Sequence, residues 1–198
     1  SALYKINKMG YDFQFLLANY YDDIALGGGW AGNIKNAGFK GEITYFISED
    51  SSETNSTSLS TSIDYSFKNG FYILASHLYN SNGFSDPQQF DPSSVTQNVL
   101  SPKNLMPSKN SFLIQASALI TPAINSSFTL LYGEGINFFF FSPNISYEIN
   151  ESLDASIIGQ FFYMDDEFNP DIPIDTNVAP INIINRINGY YARLKWSF

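Results

Sequence analysis

Few side chains in this 198-residue chain are equipped for covalent chemistry. It has no Cys and a single His, His77. Without cysteine there is no thiolate nucleophile, no thiolate metal site and no disulfide framework. A serine nucleophile needs a base within hydrogen-bond reach. Ser81 lies four residues beyond His77. On an extended strand the two share a face, but about 13 Å separates them. No catalytic residue is therefore assigned, and His77 reads as a histidine at the rim of a strand. The run Asp165, Asp166, Glu167, Asp171 and Asp175 is dense in carboxylate. It lacks the spacing of a Ca²⁺-binding EF-hand loop, so it reads as solvated, and no metal or cofactor is assigned. What remains is charge placed by spacing. Asp12, Lys40, Glu42, Asp64, Glu148, Asp154, Arg193 and Lys195 each stand between apolar or glycine neighbours. Charges set along one face of a wall filter solutes by sign. Two uses are open to them: such a filter, or mutual pairing and solvation.

The elements that hold these charges must be strands, because the apolar pattern has a period of two. Leu59, Thr61, Ile63, Tyr65 and Phe67 alternate with Ser58, Ser60, Ser62, Asp64 and Ser66. Phe39, Gly41, Ile43, Tyr45 and Ile47 repeat the pattern, as do Tyr190, Ala192, Leu194, Trp196 and Phe198. Alternation over this length signals a half-buried strand. Such runs predict about ten strands, over 11–20, 24–33, 38–48, 57–67, 71–80, 111–120, 126–134, 138–149, 153–164 and 187–198. Gly27, Gly28, Gly29 and Gly32 loosen the second run and predict a bend or a close backbone approach.

Composition narrows the class. Ten Lys and Arg against nineteen Asp and Glu give a formal charge of −9, the wrong sign for binding nucleic acid. A content of 44% hydrophobic and 17% aromatic residues argues against disorder. A membrane helix needs about 20 apolar residues. The uncharged stretch 111–133 is broken by Gln115, Pro122 and Asn125, and reads as two strands and a turn. Alternate connections are short: 34–37, 68–70, 121–125 and 150–152. The other set includes the two longest, 81–110 and 165–186. Short turns at one end and long loops at the other mark outer-membrane barrels. Strand length agrees, since a tilted membrane strand needs about 9–11 residues. The expectation is one domain over 1–198, all-β, folded as an antiparallel up-and-down transmembrane β-barrel. Tyr20, Tyr45, Tyr79, Tyr132, Phe161 and Tyr163 would form one aromatic girdle. Phe39, Phe67, Phe71, Tyr147, Trp196 and Phe198 would form the other.

The chain ends Tyr190-Tyr191-Ala192-Arg193-Leu194-Lys195-Trp196-Ser197-Phe198. A terminal Phe preceded by aromatic or apolar residues at alternate positions resembles the C-terminal assembly signal of Gram-negative outer-membrane β-barrel proteins of porin-like type. Leu26-Gly27-Gly28-Gly29-Trp30-Ala31-Gly32-Asn33 with Gly38-Phe39-Lys40-Gly41-Glu42 is similar to a hairpin of porin-like proteins. The resemblance implies that Tyr190, Leu194, Trp196 and Phe198 are read by the barrel assembly machinery. It implies a periplasmic C-terminus, extracellular long loops, and outer-membrane lipid and lipopolysaccharide as surroundings. Ser76-His77-Leu78-Tyr79-Asn80-Ser81-Asn82-Gly83 is similar to the His-x-Ser-Asn-Gly run of outer-membrane phospholipases. Tyr79 stands where that Ser belongs, so hydrolase activity is not carried over.

Strand number decides what such a barrel can do. An interior of about eight strands is filled by side chains, while about 16–18 leave an aqueous channel. Residues 1–8, with Leu3, Tyr4 and Ile6, read as the end of a strand entering a turn at 7–10. The reading therefore leans toward the C-terminal part of a larger barrel, over a complete ten-stranded one with 1–10 as a lead-in. The expected function is a porin-like channel for passive diffusion of small solutes or ions, and not an enzyme. The alternative is a non-conducting barrel acting as anchor, adhesin or accessory subunit of an envelope complex, or pairing with copies of itself. The eight charged residues named above would line a charged periplasmic mouth. Gln14, Thr44, Ser58, Ser60, Gln115, Ser117, Ser156 and Gln160 would line a neutral stretch above it.

Overall fold

A strand that alternates apolar and polar residues can satisfy its backbone only through neighbouring strands, and the chain does this throughout. A computed structural model describes residues 1–50, 54–86, 101–164 and 186–197. It contains β1 (Ala2–Lys8), β2 (Tyr11–Tyr20), β3 (Asp23–Ile34), β4 (Ala37–Ser48), β5 (Ser56–Ser66) and β6 (Tyr72–Asn80). These are followed by β7 (Asn110–Thr121), β8 (Ile124–Gly133), β9 (Phe138–Asn150), β10 (Leu153–Met164) and β11 (Arg186–Trp196). All eleven lie in one sheet in sequence order. Each pairs antiparallel with the next. Among the described residues no helix is long and apolar enough to cross a membrane.

Ten of the strands match the runs predicted from alternation to within two residues. The eleventh is β1, where the sequence suggested only a strand end. It pairs with β2 along its whole length, from Ala2↔Leu17 to Lys8↔Tyr11. The turn between them is Met9-Gly10, with φ of 54° and 78°. Two successive positive φ values define the hairpin turn whose twist matches that of the strands. At this end of the sheet the links after β3, β7 and β9 are equally short. The opposite end carries the connections that follow β6 and β10, which are the longest.

Gly32 of β3 admits a close approach, with the Tyr11 ring lying where a Cβ would be. The strand pairs without interruption on both sides, with β2 and with β4. Across that second pairing Trp30 faces Gly41. Its indole lies where a Cβ on Gly41 would be, so the ring packs flat over a strand that has no side chain there.

The sheet is a single layer. The accessible surface of the whole chain is 13,660 Å², against about 9,400 Å² for a compact monomer of this mass. Among the described residues only Ala25, Phe46, Ala116, Ile136 and Phe138 are buried apolar side chains. The register sorts every strand into two faces. Phe15, Leu26, Ile43, Ile63, Phe112, Ile145, Ile157 and Trp196 belong to one face, and all are exposed, Ile157 at 69% and Trp196 at 74%. The other face carries the charged, hydroxyl and amide side chains, with apolar ones such as Leu74, Leu131, Phe140 and Phe162 among them. The expected girdle is corrected at one position: Tyr20 pairs opposite Asp23, which puts it on the polar face, where its ring meets Phe46 at 5.7 Å. Strand parity moved it, since Asp12 and Tyr20 are an even number of residues apart. Closure is a second difference. β1 and β11 each pair on one side only among the described residues. Both are odd members of an up-and-down order, so they run in the same direction.

Gly41→Val should force the Trp30 ring off the sheet. The expected cost is about 1–3 kcal/mol, typical of overpacking. Urea unfolding in detergent, followed by Trp30 emission in a Trp196→Phe background, measures both the loss and the displaced indole.

Candidate functional site on the polar face

Side chains two apart on a strand share a face, and the register carries that parity across the sheet. Asp12 lies opposite Ala31, and Ala31 opposite Lys40. Glu42 lies opposite Gly29 and Ser60. Asp64 lies opposite Gly38. At the far side Glu148 faces Asp154, Asp154 faces Lys195, and Ser156 faces Arg193. All eight charged positions singled out from spacing therefore sit on one face. The neutral positions Gln14, Thr44, Ser58, Ser60, Gln115, Ser117 and Ser156 join them there.

The structure divides these charges into two groups. Asp12, Lys40, Glu42 and Asp64 belong to β2–β5, and Glu148, Asp154, Arg193 and Lys195 to β9–β11. Uncharged positions of β6–β8, among them Leu74, Gln115 and Thr129, lie between the groups. Glu42 is the sixth of twelve residues in β4, so it stands at mid-strand and not at the mouth. Among the described residues the charged eight form no ion pair; the pair present is Lys103–Asp23. Asp12 accepts a hydrogen bond from Asn7 Nδ2 at 2.7 Å.

A cleft of about 730 Å³ opens between the first five strands. Its floor includes Gly29 and Ala31, and its walls carry Lys5, Asp12, Gln14, Lys40, Glu42 and Ser60. Glycine and alanine on β3 create this space, because the strands on either side project long polar side chains past it. Lys5 is the residue that sequence reasoning missed. It lies opposite Gln14. Its alternation with Tyr4 and Ile6 was a signal, but over a strand of only seven residues.

At the other end of the same face the β6–β7 connection is drawn over the sheet. Asn80 is fully buried. Its Nδ2 donates to Asn104 Oδ1 and to the Met106 carbonyl, each at 3.0 Å, and its Oδ1 accepts from the Asn82 amide. Ser58 Oγ donates to the Pro102 carbonyl at 2.8 Å. Lys103 Nζ reaches Asp23 Oδ2 at 2.7 Å, with both side chains largely buried. Phe138, on the polar face, packs with Ile136, Phe84 and Met106. The segment 101–109 thus reaches from β6 across to β3, three strands away, which is about 14 Å.

His77 Nε2 meets Asn110 Oδ1 at 3.0 Å and its ring stacks on Phe112. Ser81 Oγ instead accepts the Thr57 amide. The acidic residues Asp165 to Asp175 and the terminal Phe198 lie outside the described residues. Tyr190, Leu194 and Trp196 of the assembly signal stand in β11 on the apolar face, exposed at 74%, 68% and 74%. Among the described residues no three His, Asp or Glu side chains are grouped to hold a metal. No protein-family model, curated protein or solved structure matches the chain.

Asn80→Ala removes three hydrogen bonds at once. Two of them, to Asn104 and Met106, hold the segment, so at about 0.5–1.5 kcal/mol each its hold should weaken by about 1–3 kcal/mol. Hydrogen exchange reads this as faster exchange at 101–109 with the strand amides unchanged.

Proposed function

We propose that this sheet is wall of an outer-membrane β-barrel of porin-like type, through which small polar solutes or ions diffuse passively. The observation that carries the reading is the one-layer sheet with an exposed apolar face. Among the described residues no protein layer covers Phe15, Ile43, Ile145 or Ile157, and contiguous apolar patches of this extent are rare in water. Hydrocarbon supplies the missing cover, which leaves the polar face with its charges toward water. Most of the strands are ten residues or longer, enough to span a bilayer when tilted. In lipid both free edges must be paired, since no water is there to satisfy them. The wall is therefore completed either by β1 against β11 as a parallel pair or by strands beyond this sheet.

The short turns face the periplasm in this reading, and the long connections face outside. The apolar face of β11 meets lipid, and its exposed edge suits recognition by assembly machinery. The segment 101–109 narrows the outer end of the passage. That same observation favours a second reading. If the segment fills the opening, the barrel is an anchor or an envelope subunit, and it conducts nothing.

Two measurements test the proposal. A Thr61→Cys variant should react with a lipid-phase label and Ser60→Cys with a water-soluble one; the reverse pattern excludes the membrane orientation. In a planar bilayer the protein should give stepwise openings. Replacing Arg193 and Lys195 together by Ser removes two positive charges from the wall, so the reversal potential should move toward cation preference. A silent bilayer from correctly folded protein favours the anchor.

A further inference from the structure

The cleft over β3 has a charge pattern that names its ligand. Row by row, the register places Asp12, Ala31 and Lys40 on β2, β3 and β4. The neighbouring row places Lys5, Gln14, Gly29 and Glu42 on β1 to β4. Strands are about 4.8 Å apart, so Asp12 and Lys40 stand about 10 Å from each other at the backbone and Lys5 and Glu42 about 14 Å. The two rows run in opposite senses. One goes from negative to positive toward β4, and the other from positive to negative. Two cations and two anions sum to zero. Among the described residues Lys5, Lys40 and Glu42 have neither an ion pair nor a side-chain hydrogen bond, and Asp12 is held only by Asn7. Between them the floor is Gly29 and Ala31, with the Gln14 side chain lying over Gly29 and with Ser60 and Ser62 at the border.

We propose that this cleft is a binding site for a small zwitterion, an amino acid or a short peptide carrying both a free ammonium and a free carboxylate. The inference rests on the channel reading above for its role in transit, but the site itself is a property of the sheet. A simple anion would meet Lys40 and also Glu42, two positions along the same strand face. A simple cation meets the same conflict in reverse. A solute bearing both signs can place each against its opposite, and Ser and Gln groups are at hand for its amide. The volume of about 730 Å³ is within the range of small-molecule sites.

Four probes separate the outcomes: glycylglycine, its N-acetylated monoanion, its C-terminal amide as monocation, and the neutral N-acetylglycine amide. Binding is read by saturation-transfer NMR on the full chain in detergent micelles, where conduction is not required. Glycylglycine should bind at least about fourfold tighter than either singly charged probe, the factor that one unit charge about 5 Å away produces in water. Lys40→Ser should shift the preference toward the monocation, and Glu42→Ser toward the monoanion. Such opposite shifts cannot come from a general loss of fold. Equal binding of the four probes, or single substitutions that change all of them alike, overturns the site. Bilayer conductance of the same preparation is read separately. Conduction together with indifference to probe charge sinks the site and leaves the channel. Retained dipeptide binding with a silent bilayer sinks the channel and leaves the site.

Discussion

The constraint on which this molecule turns is that its backbone is satisfied and its surface is not. Antiparallel ladders pair nearly every strand with two neighbours, so the sheet needs no other element to meet its hydrogen bonds. A ladder does nothing for the faces. One face here is rich in Phe, Ile, Leu, Tyr and Trp, and among the described residues no second layer of protein lies on it. Burying apolar area is worth roughly 25 cal/mol per Å², and a globular domain gains most of its stability that way. A single-layer sheet forgoes that gain unless its surroundings supply an apolar phase. The membrane reading, the orientation of the charges and the meaning of the cleft all descend from this one deficit.

The polar face is not uniform, and its two ends are built by different means. Near Asp23, Ser58 and Asn80 the 101–109 segment is tied by directional hydrogen bonds and an ion pair. Phe138 adds an apolar contact under the same connection. Over β3 the device is absence, because glycine and alanine leave room that Lys5, Gln14, Lys40 and Glu42 surround. A covered end beside an open, charged depression is a sensible wall for a passage that admits selected solutes. The unpaired state of its charges is what makes the depression available to a ligand. Buried or partnered groups would already have spent that interaction.

Strands were legible because period two is a direct imprint of the two-faced pleat. Ser58 to Phe67 carry it without exception, and the register places each of those serines on the face assigned to it. The charged positions were legible for the same reason. β1 was harder, since seven residues with Ala2 and Lys8 at its ends offer little more than two clear alternations. Tyr20 was assigned by its place at a strand end. Parity overrules position there, because a side chain cannot change faces without a bulge. The glycines of β3 allowed either a bend or a close approach. The Tyr11 ring lying over Gly32 decides for the approach.

The amino-acid order by itself determined ten of the strands, their alternation, the asymmetry of their connections and the face that holds the eight charged positions. Those are local properties, set by the chemistry of neighbours one and two positions apart. Tertiary structure alone decided that the charges fall into two groups and that Lys5 completes the nearer one. It also decided that Asn80 anchors a segment more than twenty residues downstream. These depend on which strand lies beside which and in what register. A chain pattern of period two repeats the same on every strand and cannot encode that choice until the hydrogen bonds between strands are made.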